Sequence, residues 1–139
     1  MSVTTYAVRF SPGSDLKVEI EKLVQHYQIK AGWIQTCVGS LTRFNLRFAN
    51  QKSGTIKEGH FEIVSLVGTI AINGCHLHIC LSDHAGTTIG GHLLEGCVVY
   101  TTVEIILAST DEFSFNRRKD EITGWNELEI HRANQNTRK

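Results

Sequence analysis

The chain has 139 residues, and its 14 Lys plus Arg match 14 Asp plus Glu, for a formal net charge of zero. Hydrophobic residues make up 41% and charged residues 20%, so disorder is not the default, and a single domain of this length can bury a core without disulfides or a structural metal. The charge balance argues against a protein built to ride on phosphate backbones, where affinity ordinarily comes from a basic surplus, although a local basic patch stays compatible with it.

Tyr6, Val8 and Phe10 alternate with Thr5, Ala7 and Arg9. That period of two predicts a half-buried strand, which Ser11-Pro12-Gly13 ends. Ser14 or Asp15 can then cap a helix, and Leu16, Ile20, Leu23, Val24 and Tyr27 follow as one apolar stripe at helical spacing. From Ala31 onward the pattern reads as strands. Trp33 to Val38 is followed by Gly39-Ser40, then Leu41 to Ala49, with Gln51 to Gly54 as a loop. Phe61 to Ile72 is long and rich in β-branched residues, and Asn73-Gly74 is the strongest hairpin signal in the chain. Cys75 to Leu81 is the returning strand, Asp83 to Gly86 a turn, and Glu95 to Ala108 another long strand. Ser109 to Asn116 carries polar punctuation, Arg117 to Glu121 reads as a charged, solvated loop, and Trp125 to Ile130 as a closing strand. The expected fold class is α+β: a mostly antiparallel, sandwich- or barrel-like sheet with one main helix packed on it. The domain is expected over residues 1–131, with 132–139 as a polar, frayed tail.

Met1 to Tyr6 lacks the basic start and apolar run of a signal peptide, and no apolar stretch approaches the roughly 18 residues of a membrane helix. A cytoplasmic protein with no membrane partner is expected. The four cysteines, Cys37, Cys75, Cys80 and Cys97, form no C-x-x-C zinc pair, so buried, reduced thiols are expected.

Chemistry concentrates in Cys75-His76-Leu77-His78-Ile79-Cys80-Leu81. Side chains alternate on a strand, so Leu77, Ile79 and Leu81 should face the core while His76, His78 and Cys80 face away. Two histidines at i and i+2 can aim at one ion, and His92, after Gly90-Gly91, can supply a third nitrogen. Three imidazoles with an open position suit zinc or a similar divalent metal. The plainer alternative is a polar or interfacial strand face with ordinary hydrogen-bonded histidines. Glu95, three residues past His92, is a candidate general base beside such a metal, or simply a salt-bridged carboxylate. Gly86, Gly90 and Gly91 make a glycine-rich turn, but no Gly-Lys-Ser/Thr follows, so a turn or close backbone approach is expected rather than a phosphate cradle. Ser65 and Ser82 have no evident His/Asp partners. No reaction is assignable.

Gly59-His60-Phe61-Glu62-Ile63-Val64-Ser65-Leu66-Val67-Gly68-Thr69-Ile70 resembles the central strand motif of the PPC (plants and prokaryotes conserved) domain. His76 to Asp83 and Gly90 to Cys97 resemble the next two motifs of its stand-alone prokaryotic branch, and Gly39-Ser40-Leu41 and Thr123 to Leu128 also fit. The resemblance covers about Tyr6 to Ile130. It implies homotrimers and, by analogy with plant proteins that carry AT-hooks, a predicted DNA-binding or regulatory role. A Gly-Arg-Phe-Glu-Ile-Leu segment tied to partner contacts in those proteins corresponds here to Gly59, His60, Phe61, Glu62, Ile63 and Val64, with His60 replacing the arginine. No Arg-Gly-Arg-Pro occurs in this sequence. The stand-alone branch commonly keeps the His-x-His and Gly-Gly-His pattern, which strengthens the metal reading. Three functions follow as expectations: a trimeric regulatory module, a His-ligated metal protein or enzyme acting on a small molecule, or a purely structural trimerisation module.

Overall fold

The computed structural model describes residues 2–133. Its elements run β1 (Val3–Phe10), α1 (Leu16–His26), β2 (Gly32–Arg47), β3 (Thr55–Ala71), β4 (Gly74–Ser82), β5 (Thr88–Leu93), β6 (Val98–Thr110), β7 (Phe113–Lys119) and β8 (Asn126–Arg132). Every pairing is antiparallel, which bears out the α+β reading. The main sheet has the order β1-β6-β2-β3-β4-β5, and β5 turns back to pair with the end of β2. Strands β2, β3, β4 and β5 therefore close a ring, the barrel-like part of the expectation.

The helix forms where its cap and stripe placed it. Asp15 accepts a hydrogen bond from the Val18 amide at 3.1 Å, satisfying an orphan donor of the first turn. Its second oxygen accepts from the Gly96 amide at 2.6 Å, which ties the helix start to the β5–β6 turn. Leu16, Ile20 and Val24 are buried, and they join Leu41, Leu77, Ile105 and Leu107 in the core. The opposite sheet face stays partly open: Val38, Val64 and Val67 are each more than half exposed.

Several details differ from the sequence expectation. The Gly39-Ser40 break does not divide β2; the strand runs through it, with register shifts between Gly39 and Leu41 and between Leu41 and Arg43. Irregular pairing absorbs what looked like a turn. Strand β3 starts at Thr55 rather than Phe61. The β3–β4 turn is centred on Ile72-Asn73, because Ala71 pairs with Gly74, so Gly74 opens the returning strand. Gly90 and Gly91 are residues of β5 rather than of a turn, and β6 begins at Val98, leaving Glu95 in the preceding turn. Finally, Phe113 to Lys119 is strand β7, which pairs with β8 from Phe113↔Arg132 to Lys119↔Asn126. The charges of Arg117, Arg118 and Lys119 sit on a hairpin rather than in a loop. Strand β8 ends at Arg132, and residues 134–139 of the expected tail lie outside those described.

Candidate metal centre

Strand alternation sorts β4 as its sequence predicts. Leu77, Ile79 and Leu81 are 2% or less exposed, while His76 and His78 face outward and are exposed. Strand β5 then supplies the third ring, because His92 sits directly across from His78 and beside Arg47 of β2. Two glycines permit this. A Cβ at Gly90 would lie 2.9 Å from the Ile79 carbonyl oxygen, and one at Gly91 would lie 2.9 Å from that of Arg47. Only residues without a Cβ let β5 wedge this closely between β4 and β2. Gly68 does the same beneath His76: with φ +152, a Cβ there would meet the His76 carbonyl oxygen at 2.0 Å.

The ring centroids of His76, His78 and His92 lie 4.8 to 5.6 Å apart, and one nitrogen of each ring lies within 4.8 Å of the others. The Nε2 atoms of His76 and His78 are 3.1 Å apart. Two nitrogens on one tetrahedral zinc, at about 2.05 Å each, would be about 3.3 Å apart. That pair therefore already has ligand spacing, and an ion would draw the wider separations inward. Among the described residues this is the one set of three or more His, Cys, Asp or Glu side chains with such convergence.

Local electrostatics favour the neutral form of His76 and His92. Burial, then the charge of Arg47, then the other two histidines hold the His92 pKa down at about 4. Burial and His78 lower that of His76. A neutral imidazole keeps the lone pair a metal needs. The Nδ1 atom of His92 is also buried with no hydrogen-bond partner, a ring nitrogen with unfilled capacity. The donor set thus fits a borderline divalent ion such as zinc, with three protein nitrogens and an open fourth position.

The tertiary structure adds residues that strand patterns did not single out. The guanidinium of Arg47 lies 4.8 Å over the Trp125 ring. Arg117, on β7, donates through Nη2 to Thr69 Oγ1 at 2.5 Å, and Thr69 is the cross-strand partner of His76. Asn73 fixes β7 there: its side chain accepts from the Arg117 amide at 2.9 Å and donates to the Arg117 carbonyl at 3.0 Å. Arg117, Glu127 and Arg47 all lie close enough to His76 to influence its ionisation. The β7–β8 hairpin therefore brings charge to the histidine face. The predictable signal was weak: an Arg and a Glu in segments that read as loop and closing strand.

Glu95 is exposed in the β5–β6 turn and is not among the converging ligands. Its main contact is through its carbonyl, which accepts from Asn45 Nδ2 at 2.8 Å. On β3, Phe61 and Ile63 point into the core while His60, Glu62 and Val64 face outward and Gly59 is half-buried. His60 meets Tyr100 edge to face at 4.6 Å. All four cysteines are free, with Cys97 buried and the other three half-buried. Burial pushes the thiols of Cys37, Cys75 and Cys97 up to about 12, 11 and 11, so they are inert thiols at neutral pH.

A family model for the Plants and Prokaryotes Conserved (PCC) domain matches residues 1–111. The chain belongs to this family. Among relatives of this PPC domain, the bifunctional protein GlmU of Synechococcus sp. (strain JA-2-3B'a(2-13)) is 42% identical over 129 residues, covering 93% of this chain and 20% of the relative. The chain spans about a fifth of the length of the curated relatives it matches. A hypothetical protein from Salmonella enterica shares the fold with a TM-score of 0.91 at 39% identity, covering 94% of this chain and 95% of that one. A metal-containing protein from Archaeoglobus fulgidus follows at TM-score 0.73 and 26% identity, covering 89% of this chain and 91% of that one. No helix among the described residues is long and apolar enough to cross a membrane.

Proposed function

We propose that this PPC domain binds a divalent metal, zinc being the best match, through His76, His78 and His92, and presents it to a small molecule. The observation that carries this is the convergence of three imidazoles from β4 and β5, with one nitrogen of each within 4.8 Å of the others. The Archaeoglobus relative described as metal-containing supports it. A bound zinc would supply Lewis acidity at its open position. The chain's own contribution is to hold three donors on paired strands, with Gly68, Gly90 and Gly91 setting the spacing. Direct grip on DNA is not part of this reading, since the net charge is zero and the sequence holds no Arg-Gly-Arg-Pro. Elemental analysis of protein purified without an affinity tag tests the proposal. About one metal ion per chain is expected, lost in His78→Ala; no stoichiometric metal in either protein would reject it.

We further infer that the domain assembles as a homotrimer. Val38 and Val64 flank the Gly39↔Ile63 pair and, with Val67, leave apolar side chains 56 to 59% exposed on the open sheet face. Such a patch is what a symmetric interface would cover. Light scattering on Val64→Asp should show a smaller species than the wild type; a wild type that already runs as a monomer would refute the assembly.

A further inference from the structure

Arg47 of β2 lies across from His92, Arg117 of β7 bonds to Thr69 opposite His76, and neither has a counterion among the described residues. Among the described residues, no ion pair involves either guanidinium. The carboxylate in their neighbourhood, Glu127, accepts a hydrogen bond from Thr123 Oγ1 at 3.0 Å rather than pairing with them. Arg117 is half-buried, and its Nε is fully shielded and has no partner. Its Nη2 donates to Thr69, but a shielded N–H left without an acceptor is costly. A divalent ion on the histidines would add two further positive charges at the same place. The site then has an excess of positive charge over its one neighbouring carboxylate, Glu127, and guanidinium N–H groups with capacity to spare.

We propose that the ligand of this site is a small-molecule oxyanion, a carboxylate or phosphate group, held by Arg47 and Arg117 beside the three-histidine set. The proposal rests on the metal reading for one of its contacts and on the two arginines for the others. A guanidinium fork matches both oxyanions, since each offers two oxygens in a plane to paired N–H donors. The indole of Trp125, 58% exposed and beneath the Arg47 guanidinium, holds that guanidinium in place by cation–π attraction. Thr69 and Asn73 hold Arg117. Both donors are thus positioned before a ligand arrives, which lowers the ordering cost of binding it.

Calorimetric titration of the full chain with orthophosphate and, separately, with oxalate tests this in zinc-loaded and zinc-free protein. One of the two anions is expected to bind near 1:1, and the preferred one tells phosphate from carboxylate. Arg47→Gln and Arg117→Gln should each weaken it at least about tenfold, the scale of a lost charge-assisted hydrogen bond, with zinc content unchanged. Lys119→Gln, at an exposed cation on the same hairpin, should leave affinity as it was. Should Arg117→Gln fail to fold, Arg117→Lys keeps the charge and loses the fork, and a clear loss is still expected. Binding of neither anion, or equal binding by wild type and both arginine variants, overturns the proposal. Arginine-dependent binding by a protein that takes up no zinc would uphold the anion site and reject the metal one.

Discussion

Zinc binding should be visible as stability, because an ion that binds only the folded chain shifts the folding equilibrium by mass action. At free zinc about 100 times its dissociation constant, the gain is about 2.7 kcal/mol. For a domain of this size, about 1 kcal/mol corresponds to roughly 3–4 °C, so the melting temperature should rise by about 10 °C. His78→Ala removes one member of the 3.1 Å nitrogen pair. Residues that merely orient a metal ligand contribute about 10–100-fold in affinity, so losing a ligand should cost at least about 100-fold. At the same free zinc the variant would then gain only about 0.4 kcal/mol, or one to two degrees. His78 is exposed, so the metal-free variant should melt within about 2 °C of wild type, as surface substitutions do. Differential scanning fluorimetry with and without zinc, after chelator treatment of both proteins, reads all four values. An equal zinc-induced rise in wild type and His78→Ala would refute the site, as would no rise in either.

The metal-free protein should lose stability as pH falls from about 6.5 towards 4. His92 titrates at about 4 in the fold against 6.5 ordinarily, so in that window the unfolded chain takes up a proton that the folded chain refuses. Urea unfolding at pH 7 and pH 5 should show the fall, and His92→Gln should flatten it; an unchanged slope would show that other groups carry the pH dependence. Asp15→Ala should cost about 1–3 kcal/mol, since one carboxylate caps Val18 and holds Gly96. A lower urea midpoint with an unchanged slope would show it, and wild-type stability would contradict the double role. Gly68→Ala should both destabilise the fold and weaken zinc binding, because its Cβ would force the β4 backbone away at His76. Calorimetric zinc affinity equal to wild type would place His76 outside the site.

Much of this protein was determined locally and could be read from residue order alone. The Asp15 cap and the Leu16, Ile20, Val24 stripe specify the helix wherever the chain goes next. The alternation of Leu77, Ile79 and Leu81 with His76 and His78 specifies two faces, because the strand period of two depends on no partner. Those signals placed two of the three histidines on one face, and their order carried the family resemblance. His92 was legible only as a candidate, since nothing local says that β5 pairs with β4 so that His92 faces His78.

What the tertiary structure alone decided is set by register and by close approach. Gly90 and Gly91 carry the sequence mark of a turn, yet neighbouring carbonyl oxygens at 2.9 Å from a built Cβ make them strand residues. The Asn73-Gly74 pair carries the mark of a hairpin turn, yet the pairing places the turn one residue earlier and frees Asn73 to dock β7. Arg117 read as part of a solvated charge run. Pairing with β8 and contact with Thr69 bring it instead to the histidine face. A residue's own chemistry and its period along the chain are local properties, and they named the candidate ligands. Which cations share their space depends on pairings between residues 40 or more positions apart, such as Thr69 with Arg117, and that information belongs to the folded chain.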